Sequence, residues 1–308
     1  MGCGSQWTVD ALAAVKMWRL AFNHGNWDPS SEQLSRVFRC ISAVDQESAL
    51  KFAYKRDVKS YLAARLLTLY VARRCFGLDP INVNVKRSAH GRPHLEGEVD
   101  FDFNLSHNGE FTLLTSCHKM RTGVDVMQVE LPQINLWTLN ATPTGNSFAL
   151  SASESVAKFL LKMKSLFAPS EWHLLTSASY EDNERMRNFF RLWCLKEAFV
   201  KNIGTGLSTD VSTVEFDLSG TTPKCTYPGL VDVEWAFEEH ELPHGHVAAV
   251  AWYRPGGLNK CFGVESFHEL SISDLLDNLS PWNKVQDHFW ASYCRKDACP
   301  PSTRSMLP

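Results

Sequence analysis

The amino-acid sequence predicts an α+β fold, in which strand hairpins and helices occupy separate stretches of the chain. Three observations predict it: helical apolar spacing over residues 45–76, a hairpin signal over residues 101–116, and a second long helical segment over residues 182–203. Of the 308 residues, 44% are apolar and 21% are charged, which is typical of a globular protein with about two domains.

The predicted elements of the first half of the chain follow in order. The helix over 45–76 carries arginines near its end, and Gly77 follows as a stop signal. The sequence "INVNVKRS" at 81–88 alternates like a strand, and "AHGRP" at 89–93 is typical of a turn. In "FDFNLSHNGEFTLLTS", alternating residues lead into Asn108-Gly109, a frequent hairpin turn. The first strand of this hairpin has two predicted faces, one with Phe101, Phe103 and Leu105 and the other with Asp102, Asn104 and Ser106.

The second half begins with a predicted strand and a polar loop. The sequence "TGVDVMQVE" at 122–130 places Asp125 on the face opposite to its valines. Residues 131–153 are rich in Pro, Thr, Asn and Ser, which favours a loop or an insertion. The helix over 182–203 is closed by glycines that follow it. Further strands are predicted near 211–218, 231–238 and 246–253, and the last thirty or so residues are expected to be loosely attached.

Composition and charge exclude several classes of protein. The net charge of -3 gives no sign of a nucleic-acid binder, and no run of 18 apolar residues predicts a membrane span. The amino terminus lacks a secretory signal, and "MGCGSQ" has Gln6 where a myristoylation site requires Ser or Thr. The nine cysteines include no C-x-x-C pair, so we expect reduced thiols and a cytosolic protein.

Glu197 lies in the middle of an apolar stripe, about 80° wide, on the helix over 182–203. The apolar members of this stripe are Met186, Phe190, Trp193 and Val200. A surface carboxylate paired with Lys201 at i,i+4 would be the ordinary explanation. A carboxylate on a buried face instead costs several kcal/mol unless a cation or a metal ion compensates it. The pattern favours a functional role for Glu197.

Asp125 is the second candidate, although an outward polar position on a strand would look the same. Together, Asp125 and Glu197 offer two oxygen ligands, and Mg²⁺ typically takes one or two carboxylates with water and substrate phosphate. No cluster of His or Cys lies near either residue in the sequence, which argues against a zinc site.

A cluster of cations surrounds the glycine turn in "KRSAHGRPHL". Lys86, Arg87, His90 and Arg92 on such a turn suit a phosphate, although a solvated hairpin tip has the same composition. His107, beside the predicted hairpin turn, either donates to a phosphate or caps the strand. Two carboxylates, a lysine one turn later and a basic turn suit magnesium-assisted chemistry on a diphosphate.

Four sequence blocks occur in a characteristic order: "GRP" at 91–93, "FNLSH" at 103–107, "GVDVM" at 123–127 and "WCLKEAFVKNIGTGL" at 193–207. This order resembles the 4'-phosphopantetheinyl transferases of the large, surfactin-synthetase-activating type, in particular their animal cytosolic subtype. The likeness covers roughly Trp18 to Asp277, and W-x-x-K-E-x-x-x-K followed by G-x-G-L is its most specific part.

The resemblance implies a pseudo-twofold α+β fold with coenzyme A and Mg²⁺ bound between two similar subdomains. We expect an N-terminal subdomain over 1–130, a C-terminal subdomain over 131–275 and a loosely structured tail over 276–308. The implied reaction moves the phosphopantetheine arm of coenzyme A to a serine of an apo acyl carrier protein and releases adenosine 3',5'-bisphosphate. The implied partners are carrier domains of the fatty-acid synthase and aminoadipate-semialdehyde dehydrogenase type, served by a monomer.

The resemblance also implies roles for individual residues. Asp125 and Glu197 correspond to magnesium ligands, and Lys201 corresponds to a lysine that contacts the transferring phosphate. These three are the expected catalytic residues, with Glu197 acting either as the base or only as a ligand. The remaining coenzyme A contacts are expected at Arg87, Ser88, Ala89, His90, Gly91, Arg92, Asn104, Leu105, Ser106 and His107.

Three positions depart from the pattern of relatives. Met127 replaces a second acid, and Ser48 replaces an arginine that contacts coenzyme A, for which Lys51 or Arg56 would have to substitute. The stretch 136–151 is longer and is expected to form a surface loop. Two alternatives stay open: a degenerate relative that only binds coenzyme A or a carrier protein, and another magnesium enzyme such as a pyrophosphatase.

Overall fold

The computed structural model describes residues 17–97, 101–132, 152–257, 264–277, 279–285 and 288–299. The predicted insertion at 136–151 and the terminal sequence "MGCGSQ" lie outside these residues. Across the described stretches of chain, helices are either too short or too polar to cross a membrane.

The described part of the N-terminal half, residues 17–118, combines three strands of one sheet, a separate two-stranded ribbon and three α-helices. Its helix α3 has 22 residues and ends at Gly77, whose φ of 68° is in the left-handed region that stops a helix. The elements of this half are β1 (Met17–Asn23), α1 (Ser31–Arg39), α2 (Ala43–Lys51), α3 (Lys55–Phe76), β2 (Val85–Arg87), β3 (Pro93–Leu95), β4 (Phe101–Asn108) and β5 (Phe111–His118).

The C-terminal half, residues 121–253, repeats this order. A strand is followed by helices, a 22-residue helix ending at a left-handed glycine, a short two-stranded ribbon and a hairpin of eight-residue strands. The prediction of a pseudo-twofold α+β fold is therefore confirmed. The elements of this half are β6 (Arg121–Gln128), α4 (Ala152–Met163), α5 (Pro169–Thr176), α6 (Asp182–Ile203), β7 (Glu215–Asp217), β8 (Lys224–Thr226), β9 (Trp235–Leu242) and β10 (His246–Tyr253).

The two halves meet along strands β4 and β6. The sheet order is β11-β1-β5-β4 in one half, where β11 is His268–Glu269, and β6-β10-β9 in the other. The pairs β4-β5, β9-β10 and β6-β10 are antiparallel. Polar side chains of β4 accept hydrogen bonds from backbone amides of β6, and we call these four bonds the side-chain ladder. The ladder pairs Asp102 with Thr122 at 2.8 Å, Asn104 with Val124 at 3.0 Å, Ser106 with Val126 at 3.3 Å and Asn108 with Gln128 at 2.9 Å.

Each long helix covers its own sheet, and a third cluster of apolar side chains fills the space between the halves. Leu62 and Leu66 of α3 belong to the N-terminal core, and Phe189 and Leu195 of α6 belong to the C-terminal core. The cluster between the halves contains apolar residues of β1, β5, β6 and β10, namely Ala21, Phe111, Leu113, Val124, Val126, Ala248, Val250 and Trp252. The valines of β6 thus face this cluster, which leaves Asp125 on the side of α6.

Some elements differ from the sequence prediction. The predicted helix over 45–76 is divided into α2 and α3, because Tyr54 pairs with Asp297 from the end of the chain. The strand expected at 81–88 is reduced to Val85–Arg87, after a 3-10 turn over Pro80–Asn82. The strand expected at 231–238 is observed as Trp235–Leu242, whereas the strand at 246–253 is observed where it was predicted.

The C-terminal segment, residues 264–299, returns to the N-terminal half. It contains β11 (His268–Glu269), α7 (Ile272–Asp277) and α8 (Phe289–Cys294), and β11 pairs in parallel with β1. Its apolar side chains are part of the N-terminal core, which differs from the expected loose attachment. These buried side chains are Leu270, Leu275, Leu276, Leu279 and Tyr293. Helices of six residues are too short to give a readable periodicity, so the sequence did not indicate this packing.

Candidate active site

Asp125 lies at the centre of β6 and is 5% exposed. Its Oδ1 accepts hydrogen bonds from Ser106 Oγ at 2.8 Å and from Lys201 Nζ at 2.6 Å. Its Oδ2 is buried and has no hydrogen-bond partner among the residues that the structure describes. A buried carboxylate oxygen without a partner is costly, so this atom is suited to a ligand.

Glu197 lies on α6, one turn before Lys201, and is half-buried. Burial raises the pKa of Glu197, and the negative charge of Asp125 raises it further, while the Lys201 ammonium acts in the opposite direction. The two carboxylates, 72 positions apart in the sequence, therefore lie close enough to repel each other. Such a pair is stabilised by a cation placed between its oxygens.

Gly123 brings α6 close to β6. A Cβ atom at this position would overlap the backbone oxygen of Ala198 and would lie 2.6 Å from the backbone nitrogen of Asn202. Only glycine permits this approach, which carries Glu197 over the strand that holds Asp125. Sequence reasoning missed the role of Gly123, although a glycine inside a strand is a known sign of close backbone approach.

Lys201 connects the carboxylates with the basic turn. Its ammonium bonds to Asp125 and, at 3.0 Å, to Ser106 Oγ, while its backbone oxygen accepts a hydrogen bond from Arg92. The side chain is 28% exposed, so it borders both the buried carboxylate and solvent.

The basic turn over residues 87–92 is held by its own backbone. Ser88 N donates to Arg92 O and Gly91 N donates to Ser88 O, both at 2.9 Å, and Gly91 has a φ of 83°. Arg87, Ser88, Ala89 and His90 are exposed. Arg92 instead points inwards and donates to Asp102 and to Thr122 O. The first four residues of the turn are thus exposed to solvent, and its last residue, Arg92, fixes the turn to the rest of the protein.

The glycines after α6 support the basic turn. A Cβ atom on Gly206 would lie 3.5 Å from the backbone oxygen of His90, and one on Gly204 would lie 3.3 Å from Cδ of Arg92. The two motifs G-x-G-L and "SAHGR", more than a hundred residues apart in sequence, therefore pack together.

The four residues of "NLSH" point in alternating directions. Asn104 and Ser106 face β6 in the side-chain ladder, Leu105 packs against the N-terminal core, and His107 is exposed. Loss of solvation lowers the pKa of His107, and the Lys201 ammonium lowers it further, although the residue is exposed overall. Arg56 also lowers this pKa.

Ser48 stands where an arginine that contacts coenzyme A is expected from relatives, so the surroundings of Ser48 show which nearby cation could replace that arginine. Ser48 lies on α2, near enough to Tyr61 of α3 to act on the pKa of that hydroxyl. Arg56 is exposed and lies near enough to His107 to interact with it electrostatically, so it is the better placed of the two candidate replacements.

The donor set of the site fits a hard divalent cation. Asp125 offers an unpartnered oxygen, and Glu197 offers a second carboxylate across from it. Mg²⁺ accepts one or two carboxylates and completes its shell with water and phosphate oxygens. Met127, which replaces a second acid, is buried in the C-terminal core. Within the described ranges, no group of three or more His, Cys, Asp or Glu residues could hold a metal by itself.

Comparisons with known proteins agree with this architecture. The family described as "4'-phosphopantetheinyl transferase, N-terminal" matches residues 25–119, and the "4'-phosphopantetheinyl transferase superfamily" matches residues 148–251. Together the two matches cover more than half of the chain, one in each half of the fold. The chain belongs to the 4'-phosphopantetheinyl transferase superfamily, which confirms the family predicted from the sequence.

Individual relatives extend the similarity over nearly the whole chain. The rat L-aminoadipate-semialdehyde dehydrogenase-phosphopantetheinyl transferase is 28% identical over 299 residues, which cover 90% of each protein. The enzyme of the same name from Xenopus laevis is 29% identical and covers 92% of this chain and 93% of its own. The 4'-phosphopantetheinyl transferase of Bacillus subtilis is 24% identical over 70% of this chain.

Proposed function

We propose that this protein transfers the 4'-phosphopantetheine arm of coenzyme A to a serine of apo carrier proteins, as a holo-acyl-carrier-protein synthase. The observation that carries the proposal is the convergence of Asp125 and Glu197 from different elements, with Lys201 bonded to Asp125. Membership of the superfamily supports it. A binding relative without activity would not need all three side chains at one site.

The proposed reaction forms a bond between the serine oxygen and the β-phosphorus of coenzyme A. The bond from that phosphorus to adenosine 3',5'-bisphosphate breaks, and the serine proton passes to a base. Glu197, whose pKa is raised, is the nearest carboxylate suited to accept that proton, directly or through water. Lys201 would balance the negative charge that develops on the phosphoryl oxygens.

Asp125 and Glu197 are the proposed holders of Mg²⁺. When bound, this ion would supply positive charge that offsets the negative charge on the leaving group. The unpartnered Oδ2 of Asp125 and the raised pKa of Glu197 support this assignment.

The proposed coenzyme A surface consists of the basic turn, "NLSH" and Lys201. Arg87 and His90 are exposed on the turn, where a phosphate can reach them, and His107 lies beside Lys201. Arg92 supports this surface from within. We further propose a cytosolic monomer that serves carrier domains of the fatty-acid synthase and aminoadipate-semialdehyde dehydrogenase type, as the names of its relatives suggest for the second.

One assay tests this function directly. The protein is incubated with an apo carrier protein, coenzyme A and Mg²⁺, and the intact carrier is weighed by mass spectrometry. A mass gain of one phosphopantetheine is expected. Cleavage of coenzyme A with an unchanged carrier would contradict transfer and indicate a hydrolase, and no change in either would indicate a binding protein.

Glu197→Gln tests the catalytic carboxylate. We expect a loss of transfer of about 100-fold or more, because the variant loses both a base and an anionic ligand. The circular dichroism spectrum should stay that of the wild type. Glu184→Gln is the matched control, since Glu184 is exposed in the first turn of the same helix. Wild-type turnover by Glu197→Gln would refute the assigned role.

Asp125→Ala tests the other carboxylate. Its removal should weaken the dependence of the rate on Mg²⁺ and the affinity for coenzyme A together. Unchanged behaviour of this variant would place the metal elsewhere.

A further inference from the structure

Lys196, the first lysine of W-x-x-K-E-x-x-x-K, lies next to Glu197 but on a different face of α6. Its side chain is completely buried, and its Nζ contacts Glu171 Oε2 at 2.8 Å. The same ammonium donates to Val211 O at 2.9 Å and to Val214 O. An ammonium has three donors, and all three are used inside the protein. Lys196 therefore does not reach the substrate.

Glu171, the partner of Lys196, is also completely buried, and both of its carboxylate oxygens accept hydrogen bonds. Its Oε2 accepts a hydrogen bond from Ala168 N at 2.8 Å, and its Oε1 accepts one from Phe216 N at 2.9 Å. The ion pair thus ties three stretches of chain together: the start of α5, the middle of α6 and the stretch 211–216. A buried ion pair with this many hydrogen bonds specifies geometry more than it adds stability.

The stretch 204–216, which we call the seat, lies between this ion pair and the basic turn. At one end, Val211, Val214 and Phe216 bond to the ion pair. At the other end, a Cβ atom built on Gly206 would lie 3.5 Å from the backbone oxygen of His90, and one built on Gly204 would lie 3.3 Å from Cδ of Arg92. The seat is thus bonded to the ion pair at one end and lies next to the basic turn at the other.

We propose that Lys196 is a positioning residue: with Glu171 it fixes the seat on which the basic turn rests, and thereby sets the affinity for coenzyme A. This inference rests on the proposed function, since it assigns a nucleotide to the basic turn. It gives the two lysines of the motif different roles. Lys201 acts at the transferring phosphate, whereas Lys196 acts through the turn that binds the nucleotide.

The test replaces the pair without leaving a buried charge. Lys196→Met alone would strand the Glu171 carboxylate, and such a loss commonly unfolds a domain. In the double variant Lys196→Met/Glu171→Gln both side chains are uncharged, and the side-chain oxygen of the introduced glutamine can still accept a hydrogen bond from a backbone amide. The carbonyl oxygens of Val211 and Val214, however, lose the hydrogen bonds that Lys196 donates to them. Lys158→Met, an exposed lysine of α4, is the control.

Three measurements follow on the full chain: the Kd for coenzyme A by calorimetry, KM and kcat for transfer, and amide hydrogen exchange of the seat. In the double variant we expect Kd and KM to rise about tenfold together, kcat to change by less than about threefold, and exchange over 211–216 to accelerate. Glu171→Asp alone keeps both charges of the pair and shortens the reach of the carboxylate to Ala168 N and Phe216 N, so Kd and KM should rise in the same direction but by less. That single variant decides the question if the double variant does not fold.

Other outcomes would overturn the inference. A fall in kcat with an unchanged Kd for coenzyme A would place Lys196 in the transfer step. Faster amide exchange over the seat with an unchanged Kd would show that the position of the seat does not affect coenzyme A binding. Absence of transfer by the wild type would refute the proposed function, while the calorimetric comparison would still decide the role of Lys196.

Discussion

The Ser106 hydroxyl joins the two halves at the candidate active site. It donates to Asp125 Oδ1 and accepts from Val126 N and Lys201 Nζ, so its one donor and both acceptor positions are used. Ser106 belongs to β4, and all three partners belong to the C-terminal half. By engaging Oδ1, this hydroxyl leaves Oδ2 of Asp125 as the oxygen available to a cation.

Ser106→Ala should therefore weaken metal binding. Groups that orient metal ligands typically contribute 10-fold to 100-fold in affinity, and we expect a loss of about tenfold. The measurement is Mn²⁺ binding followed by electron paramagnetic resonance, in the absence of coenzyme A. Ser116→Ala is the matched control, because Ser116 is buried on the neighbouring strand β5 and its hydroxyl has no partner in the described part of the chain. Equal affinities of the two variants would show that Ser106 does not orient Asp125.

Long regular elements were predictable from the sequence. The helix over 182–203 and the hairpin around Gly109 are observed at their predicted places, since periodicity and turn residues act locally. The end of α2 was not predictable. No glycine or proline marks Phe52–Tyr54, and the helix stops there because Tyr54 forms an isolated β-bridge with Asp297.

The same distinction applies to the candidate site. The apolar stripe around Glu197 and the alternation around Asp125 predicted the two carboxylates, because both patterns are local. The inward turn of Arg92 and the buried partner of Lys196 depend on residues that are distant in the sequence. Charge alone therefore did not distinguish a cation that faces solvent from one that anchors a loop.

Gly123 sets the distance between β6 and α6, and its substitution tests this packing. In Gly123→Ala, the added methyl group would meet backbone atoms of Ala198 and Asn202, which cannot rotate away. We expect a loss of about 1–3 kcal/mol in the free energy of unfolding. Transfer should fall as well, because a displaced α6 carries Glu197 away from Asp125. Urea denaturation and the carrier assay measure these two effects.

Gly220→Ala is the control for this substitution. A Cβ atom at Gly220 has its nearest neighbour at 3.6 Å, and its φ is not in the left-handed region. Its stability should stay within about 0.5 kcal/mol of the wild type. If both alanine variants were equally stable, close contact at Gly123 would not determine the position of α6.

The two halves of the molecule have equivalent elements, but only the C-terminal half carries the carboxylate pair. The sixteenth residue of α6 is Glu197, whereas the sixteenth residue of α3 is Tyr70. Asp125 pairs with the fourth residue of β10, and the fourth residue of β5 pairs with Leu20. The counterparts of the two acids are thus a tyrosine and a leucine, so the repeated architecture holds the carboxylate pair in only one of its two equivalent places.

At the second contact between the halves, a buried ion pair joins β1 to β9. Arg19 Nε donates to Glu238 Oε2 at 2.7 Å, both side chains are at most 5% exposed, and the guanidinium lies 4.9 Å from the ring centre of Trp252. Burial opposes ionisation of Glu238, but hydrogen bonds from Arg19 and His240 outweigh it and lower the pKa of this carboxyl below 4.5. The ion pair is therefore formed at neutral pH.

Arg19→Met should destabilise the protein in a pH-dependent manner. At pH 7 the variant leaves Glu238 charged and buried without its cation, which costs about 3–5 kcal/mol. Because the folded pKa of Glu238 is lowered, its stabilising contribution is present above about pH 4.5 and is lost as pH falls through the folded pKa. The difference in the free energy of unfolding between wild type and variant should therefore narrow in acid, as measured by urea denaturation from pH 8 down to about pH 3.

Two comparisons make this last prediction specific. Adding Glu238→Gln to Arg19→Met removes the unpaired charge and should recover much of the loss at pH 7. Arg187→Met breaks the exposed pair with Glu241, which lies within the C-terminal half, and should cost no more than about 1 kcal/mol. A constant difference between wild type and Arg19→Met at every pH would mean that packing against Trp252, rather than charge pairing across the halves, accounts for the effect of Arg19.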